Sequence, residues 1–215
     1  MKMSKTKVKI CGLKRPEDIG IVNRLLPEYI GFVFWDKSRR YVTHDLASSL
    51  KKDLDPRIKA VGVFVDAEAE EVSDLLNRGI IDIAQLHGHE DEEYIGRLRK
   101  MTDKPIIRAF QIRSEETAED TLSDAEKCSA DFVLIDSGMG SGKVFDWRLL
   151  KGFPRDFFLA GGLDAENVKE AVATTGAFAV DVSSNVETDG VKDEKKVEDF
   201  IAATRNKAGM EGESI

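Results

Sequence analysis

The feature that most constrains this chain is an alternation. Eight short runs rich in β-branched and aromatic residues, at 7–10, 29–34, 59–65, 81–86, 105–110, 132–136, 156–160 and 177–182, are each followed by a longer segment with helical spacing. The helical segments begin near Pro16, Asp45, Ala69, Asp91, Ser114, Asp146, Ala165 and Asp193. Near-continuous apolar strands joined by crossover helices predict a parallel sheet covered by helices. Pro16 suits a first helical position, where its missing N–H has no partner to lose, and Asp164 suits a cap. Val72, Leu75 and Leu76, and again Val197, Phe200 and Ile201, form the i, i+3, i+4 stripe of a helix packed on a sheet. Eight such units close into an α/β single-domain (β/α)8 TIM barrel over residues 1–207, with 208–215 as a tail. An open doubly wound sheet satisfies the same alternation.

Length agrees with one domain, since 215 residues suffice for one barrel around one core. Charge narrows the partners: 32 Lys plus Arg against 40 Asp plus Glu give a net charge of -8, which repels a nucleic-acid backbone in the absence of a basic patch. Arg39-Arg40 and Lys51-Lys52 are too short and too close to acids to make one. Cys11 and Cys128 are too far apart for a zinc-knuckle spacing and too few for a disulfide scaffold, so reduced thiols in the cytoplasm are expected. No apolar run approaches the roughly 20 residues of a membrane span, and the basic N-terminus lacks an apolar signal core.

In a parallel barrel the C-terminal ends of all strands share one mouth, and chemistry collects there. That mouth is expected to gather Cys11, Arg40, Gln85, His87, Asp136, Gly161, Gly162, Asp181, Ser183 and Ser184. The loops after strands seven and eight, Ala160-Gly161-Gly162-Leu163-Asp164 and Asp181-Val182-Ser183-Ser184-Asn185, occupy the usual phosphate slots of barrels. Glycines there let backbone N–H groups approach an anion, and the next helix supplies further donors. Cys11 reads either as a small buried hydrophobe or as a thiol open to the mouth. Asp136 reads either as a loop anchor or as an acid beneath a glycine-rich cover at 137–143. That cover is one residue short of a P-loop, and Val144 replaces the metal-binding hydroxyl. His87-Gly88-His89 has no evident third ligand, so no metal is expected.

In their order and spacing, several stretches resemble the phosphoribosylanthranilate isomerase family. These are Lys9-Ile10-Cys11-Gly12-Leu13, Gly31-Phe32-Val33-Phe34 with Ser38-Arg39-Arg40-Tyr41-Val42, Val63-Phe64-Val65, Gln85-Leu86-His87-Gly88, Gly142-Lys143 with Phe145-Asp146-Trp147, Leu159-Ala160-Gly161-Gly162-Leu163 with Asn167-Val168, and Asp181-Val182-Ser183-Ser184. The resemblance spans strand one to strand eight. It implies a cofactor-free isomerase of tryptophan biosynthesis that performs an Amadori rearrangement on a phosphosugar. It makes Cys11 the general base, Asp136 the general acid and Arg40 the partner of the substrate's anthranilate carboxylate. The acid must hold a proton and the base must supply thiolate, so the Cys11 pKa is expected to be lowered. Other phosphosugar barrels, epimerases or synthases, and a non-catalytic phosphate-binding module share the fold-level features. Three departures stand out: Arg39 replaces a frequent proline, the loop at 137–143 is shorter than in some members of the family, and Asn185 replaces the glycine that usually follows the two serines, a place where asparagine tolerates a left-handed backbone better than most side chains.

Overall fold

The computed structural model describes residues 5–112, 114–136 and 146–205. Eight parallel strands run β1 Lys7–Cys11, β2 Tyr29–Val33, β3 Lys59–Phe64, β4 Ile83–Leu86, β5 Ile106–Gln111, β6 Phe132–Asp136, β7 Phe157–Ala160 and β8 Ala179–Val182. They pair in sequence order, and β8 returns to β1 with Lys9 opposite Asp181 and Ile10 opposite Val182. That last pairing closes the sheet and separates the barrel from the open alternative. The helices are α1 Pro16–Leu25, α2 His44–Lys52, α3 Ala69–Asn77, α4 Glu92–Arg99, α5 Ala118–Lys127, α6 Val168–Thr175 and α7 Glu194–Arg205. Among them no helix is long and apolar enough to cross a membrane.

Local chemistry sets the helix starts. Pro16 opens α1, and Asp18 reaches back to accept the Arg15 N–H at 3.1 Å. Thr43 Oγ1 accepts from Leu46 N at 3.2 Å ahead of α2, and Asp91 Oδ1 accepts from Tyr94 N at 2.9 Å ahead of α4. Asp164 caps as expected, accepting from both Glu166 N and Asn167 N at 2.9 Å, but the turn it makes delays α6 to Val168.

One expected helix is missing. The segment from Asp146 forms only a 3-10 turn, Trp147–Leu150, capped by Asp146 through Arg148 N at 3.0 Å. Gly152 follows with φ +80 and Pro154 stands two residues on, so the chain turns before a second helical turn can form. Trp147 and Leu150 are still buried, and the turn packs on α6. The expected cover at 137–143, Phe145 of the matching stretch and the tail at 208–215 lie outside the described residues.

Side chains two apart on a strand share a face, so each strand sends one set into the lumen and the other toward the helices. Tyr29, Val61, Ile83, Ile107, Leu134, Phe158 and Ala179 form the inner cluster, separate from the larger layer between sheet and helices. Its lower end is filled by aromatics: Tyr29 and Phe132 meet Phe158 edge-on at 5.3 and 5.9 Å, and Phe178 stacks on Phe132 at 5.3 Å. Two residues further along the same inward faces come Gln85 after Ile83, Asp136 after Leu134 and Asp181 after Ala179. The site is therefore the continuation of the core.

Candidate active site

A cavity of about 230 Å³ opens at the C-terminal ends of the strands. Every residue expected at the mouth lines it except Arg40. It adjoins a larger cavity of about 740 Å³, with which it shares Val63 and His87 and whose wall includes Val33, Trp35, Val65 and Ala109. One compartment is rich in acid, thiol and backbone donors. The other is largely apolar.

Cys11 ends β1 and is buried beside Val33 and Val63. Its sulfur fits because Gly31, its register partner on β2, has no side chain: a Cβ there would stand 2.6 Å from Sγ. Two residues before it, Lys9 faces the same way and is fully buried, with Nζ 2.9 Å from Asp181 Oδ2. Burial pushes the Cys11 thiol up; the Lys9 and Lys192 ammonium groups pull it down, and the Asp181 carboxylate opposes them. The result is a thiol raised above its ordinary value, not lowered. This corrects the expectation from mechanism: the flanking cations do not outweigh the loss of water. Burial likewise raises the Asp181 carboxyl, with Lys9 acting against it.

Asp136 ends β6, with Oδ2 3.6 Å from His87 Nε2. On its other side the imidazole meets Gln85 Nε2 at 2.9 Å through Nδ1. With the amide donating to Nδ1, the ring proton lies on Nε2, on the side of Asp136. His87 thus stands between Gln85 and Asp136. His89 is elsewhere, paired with Asp66 at 2.9 Å on the exposed rim, and no metal-ligating cluster occurs among the described residues.

The loops after β7 and β8 are tied together. Gly161 and Gly162 have φ +93 and +66, which side chains rarely adopt, and the space beyond Gly162 is open. Asn167 Nδ2 holds Gly162 O at 3.0 Å, and Asn185 Nδ2 reaches Leu163 O at 2.9 Å. Asn185 is not left-handed; it sits in the 3-10 turn Ser184–Val186 and bridges the loops with its amide. Ser183 Oγ donates to Cys11 O at 3.1 Å, so the loop after β8 also grips the end of β1.

Arg40 is close to this cavity without lining it. Its stem crosses the backbone just beyond Cys11: a Cβ on Gly12, where φ is +85, would meet Arg40 Cδ at 2.3 Å. The guanidinium is held by Glu187, with Nε to Oε1 and Nη2 to Oε2 both at 2.7 Å. Lys192 Nζ donates to Glu187 Oε1 at 2.6 Å and to Ser183 O at 3.0 Å. Glu187 and Lys192 face each other across a hairpin, β9 Glu187–Thr188 and β10 Val191–Lys192. Asp189 and Gly190, with φ +53 and +76, form its two-residue loop. Neither residue was expected at the site. The signal was the Asp-Gly pair, which predicts a tight hairpin and sets Glu187 opposite Lys192.

The chain is similar to known proteins along most of its length. The family described as N-(5'-phosphoribosyl)anthranilate (PRA) isomerase matches residues 8–203. The N-(5'-phosphoribosyl)anthranilate isomerase of Endomicrobium trichonymphae is 43% identical over 205 residues, covering 93% of this chain and 98% of that protein. The crystal structure of phosphoribosyl anthranilate isomerase from Thermotoga maritima superposes with a TM-score of 0.82 at 34% identity, covering 93% of this chain and 98% of that one. A second crystal structure, of the isomerase in complex with reduced 1-(o-carboxyphenylamino)-1-deoxyribulose 5-phosphate, gives 0.80 at 32% identity with the same coverage.

Proposed function

The chain belongs to the N-(5'-phosphoribosyl)anthranilate isomerase family, and from that premise we propose that it converts N-(5'-phosphoribosyl)anthranilate into 1-(2-carboxyphenylamino)-1-deoxyribulose 5-phosphate in tryptophan biosynthesis. The observation that carries the reading is one cavity lined by a carboxyl, a thiol and two anion-ready loops from separate strands. Asp136 protonates the furanose ring oxygen as its bond to C1 breaks, giving an open-chain iminium. The Cys11 thiolate then takes the C2 proton, and the resulting enolamine shifts to the amino ketose. Backbone donors near Gly161-Gly162 and Ser183-Ser184 hold the phosphate, so remote binding aligns C2 with the base. Asp181 Oδ1 and Gln85 Oε1, buried acceptors without a partner among the described residues, face the sugar hydroxyls. The adjoining apolar cavity takes the aromatic ring, and Arg40 takes its carboxylate with a planar fork. Two free thiols and an acidic chain fit a cytoplasmic enzyme with a small-molecule partner, built as one barrel domain over 1–207.

The test generates fluorescent phosphoribosylanthranilate in place from anthranilate and phosphoribosyl pyrophosphate and follows its loss. Loss faster than spontaneous decomposition, with the amino ketose as product, supports the reading. An epimerised sugar would replace it with another phosphosugar barrel activity, and binding without turnover would leave a phosphate-binding module.

A further inference from the structure

Glu187 lies outside the cavity, yet it touches two groups that approach the end of the base strand, Arg40 from the loop after β2 and Lys192 from the hairpin after β8. Its Oε1 receives Arg40 Nε and Lys192 Nζ, and its Oε2 receives Arg40 Nη2. Burial alone would favour its neutral form, but the two cations hold its pKa at about 2, so it is charged throughout the working range. Its carboxylate separates two positive groups that would otherwise repel across a buried space.

The way the fork is used matters more than the charge. A guanidinium offers two paired edges, one between Nε and Nη2 and one between Nη1 and Nη2. Glu187 fills the first. Among the described residues no hydrogen bond engages Nη1, so the second edge keeps its geometry for another planar anion. With its stem over Gly12 and its near edge clamped, Arg40 has little rotamer freedom left to lose when such an anion arrives. From Arg40 the contacts continue through Glu187 and Lys192 to Ser183 O, and Ser183 Oγ returns to Cys11 O. One circuit thus joins the arginine, the loop after β8 and the end of the base strand.

We propose that Glu187 is a positioning residue for substrate recognition, presenting the free Nη1–Nη2 edge of Arg40 to the aryl carboxylate. The inference rests on the reading of Arg40 given under Proposed function. It makes Glu187 act on KM through Arg40 and not on the chemical step.

The experiment is a double-mutant cycle on the full chain, with kcat and KM for phosphoribosylanthranilate measured in Arg40→Ala, Glu187→Ala and the pair, and folding checked by circular dichroism. Glu187→Ala should raise KM about tenfold, as expected for losing a hydrogen bond to a charged group, with kcat within about threefold. In the Arg40→Ala background the same change should leave KM almost unmoved. Should Glu187→Ala fold poorly because Lys192 loses its partner, Glu187→Gln serves instead. Its amide nitrogen cannot accept from Arg40 Nη2, so the paired clamp is broken, and it should show the same dependence on Arg40. An unchanged or lowered KM, or an equal rise in both backgrounds, overturns the positioning role while leaving the Arg40 reading intact. A normal KM in Arg40→Ala overturns that reading and the inference together.

Discussion

At the scale of single residues, two thiols of identical chemistry have different surroundings. Cys11 ends β1 in the cavity wall, whereas Cys128 caps the end of α5 on the far side of the sheet. Cys11→Ala should lower kcat by about 10²–10⁴-fold, the usual contribution of a positioned general base, while Cys128→Ala leaves it near wild type. Steady-state kinetics on the two folded variants decide this, and full turnover in Cys11→Ala would remove the base from the mechanism. The direction of the Cys11 shift adds a second expectation. Because burial raises the thiol, the ligand-free enzyme holds less thiolate at pH 7 than a free cysteine would, and the fraction grows as pH rises through the raised pKa. Each thiolate present is correspondingly a stronger base. Ultraviolet absorbance of the thiolate in Cys128→Ala should therefore titrate with a midpoint above the roughly 8.5 of a free thiol; a lower midpoint would mean that the cations outweigh burial after all.

At the scale of elements, the two glycines after β7 use conformations that a branched side chain cannot share. Gly162→Val should weaken a phosphorylated product analogue by about tenfold or more, through lost backbone donors, and spare its unphosphorylated counterpart. Calorimetric titration of both compounds checks this, and equal affinities for the phosphorylated compound would place the phosphate elsewhere. These loops, the eight strands and nearly all of the cavity wall were legible in the sequence, because continuous apolar runs and glycine placement are local signals. The helix expected from Asp146 was not, since an apolar pair at Trp147 and Leu150 looks the same in a 3-10 turn as in a helix. Glu187 and Lys192 escaped for another reason. Charged residues near a loop read as solvated, and only the hairpin brings the two together in the interior.

For the molecule as a whole, closure depends on the seam between the first and last strands. Lys9 and Asp181 are register partners across it and also a buried ion pair at 2.9 Å. Removing one partner strands the other charge in the lumen, which typically costs about 3–5 kcal/mol. Lys9→Met should accordingly lower the urea midpoint sharply, and adding Asp181→Leu should recover part of the loss, since the second change removes the stranded charge. A double variant as destabilised as the sum of the two singles would show that the pair does not act as a unit.

The aromatic plug at the lower end of the lumen governs traffic. With Tyr29, Phe132, Phe158 and Phe178 packed across the strand starts, the barrel is a cup and not a tube. The mouth is then both inlet and outlet. Each ketose must be discharged before the next aldose can be admitted, so a change that narrows the rim slows loading and unloading alike.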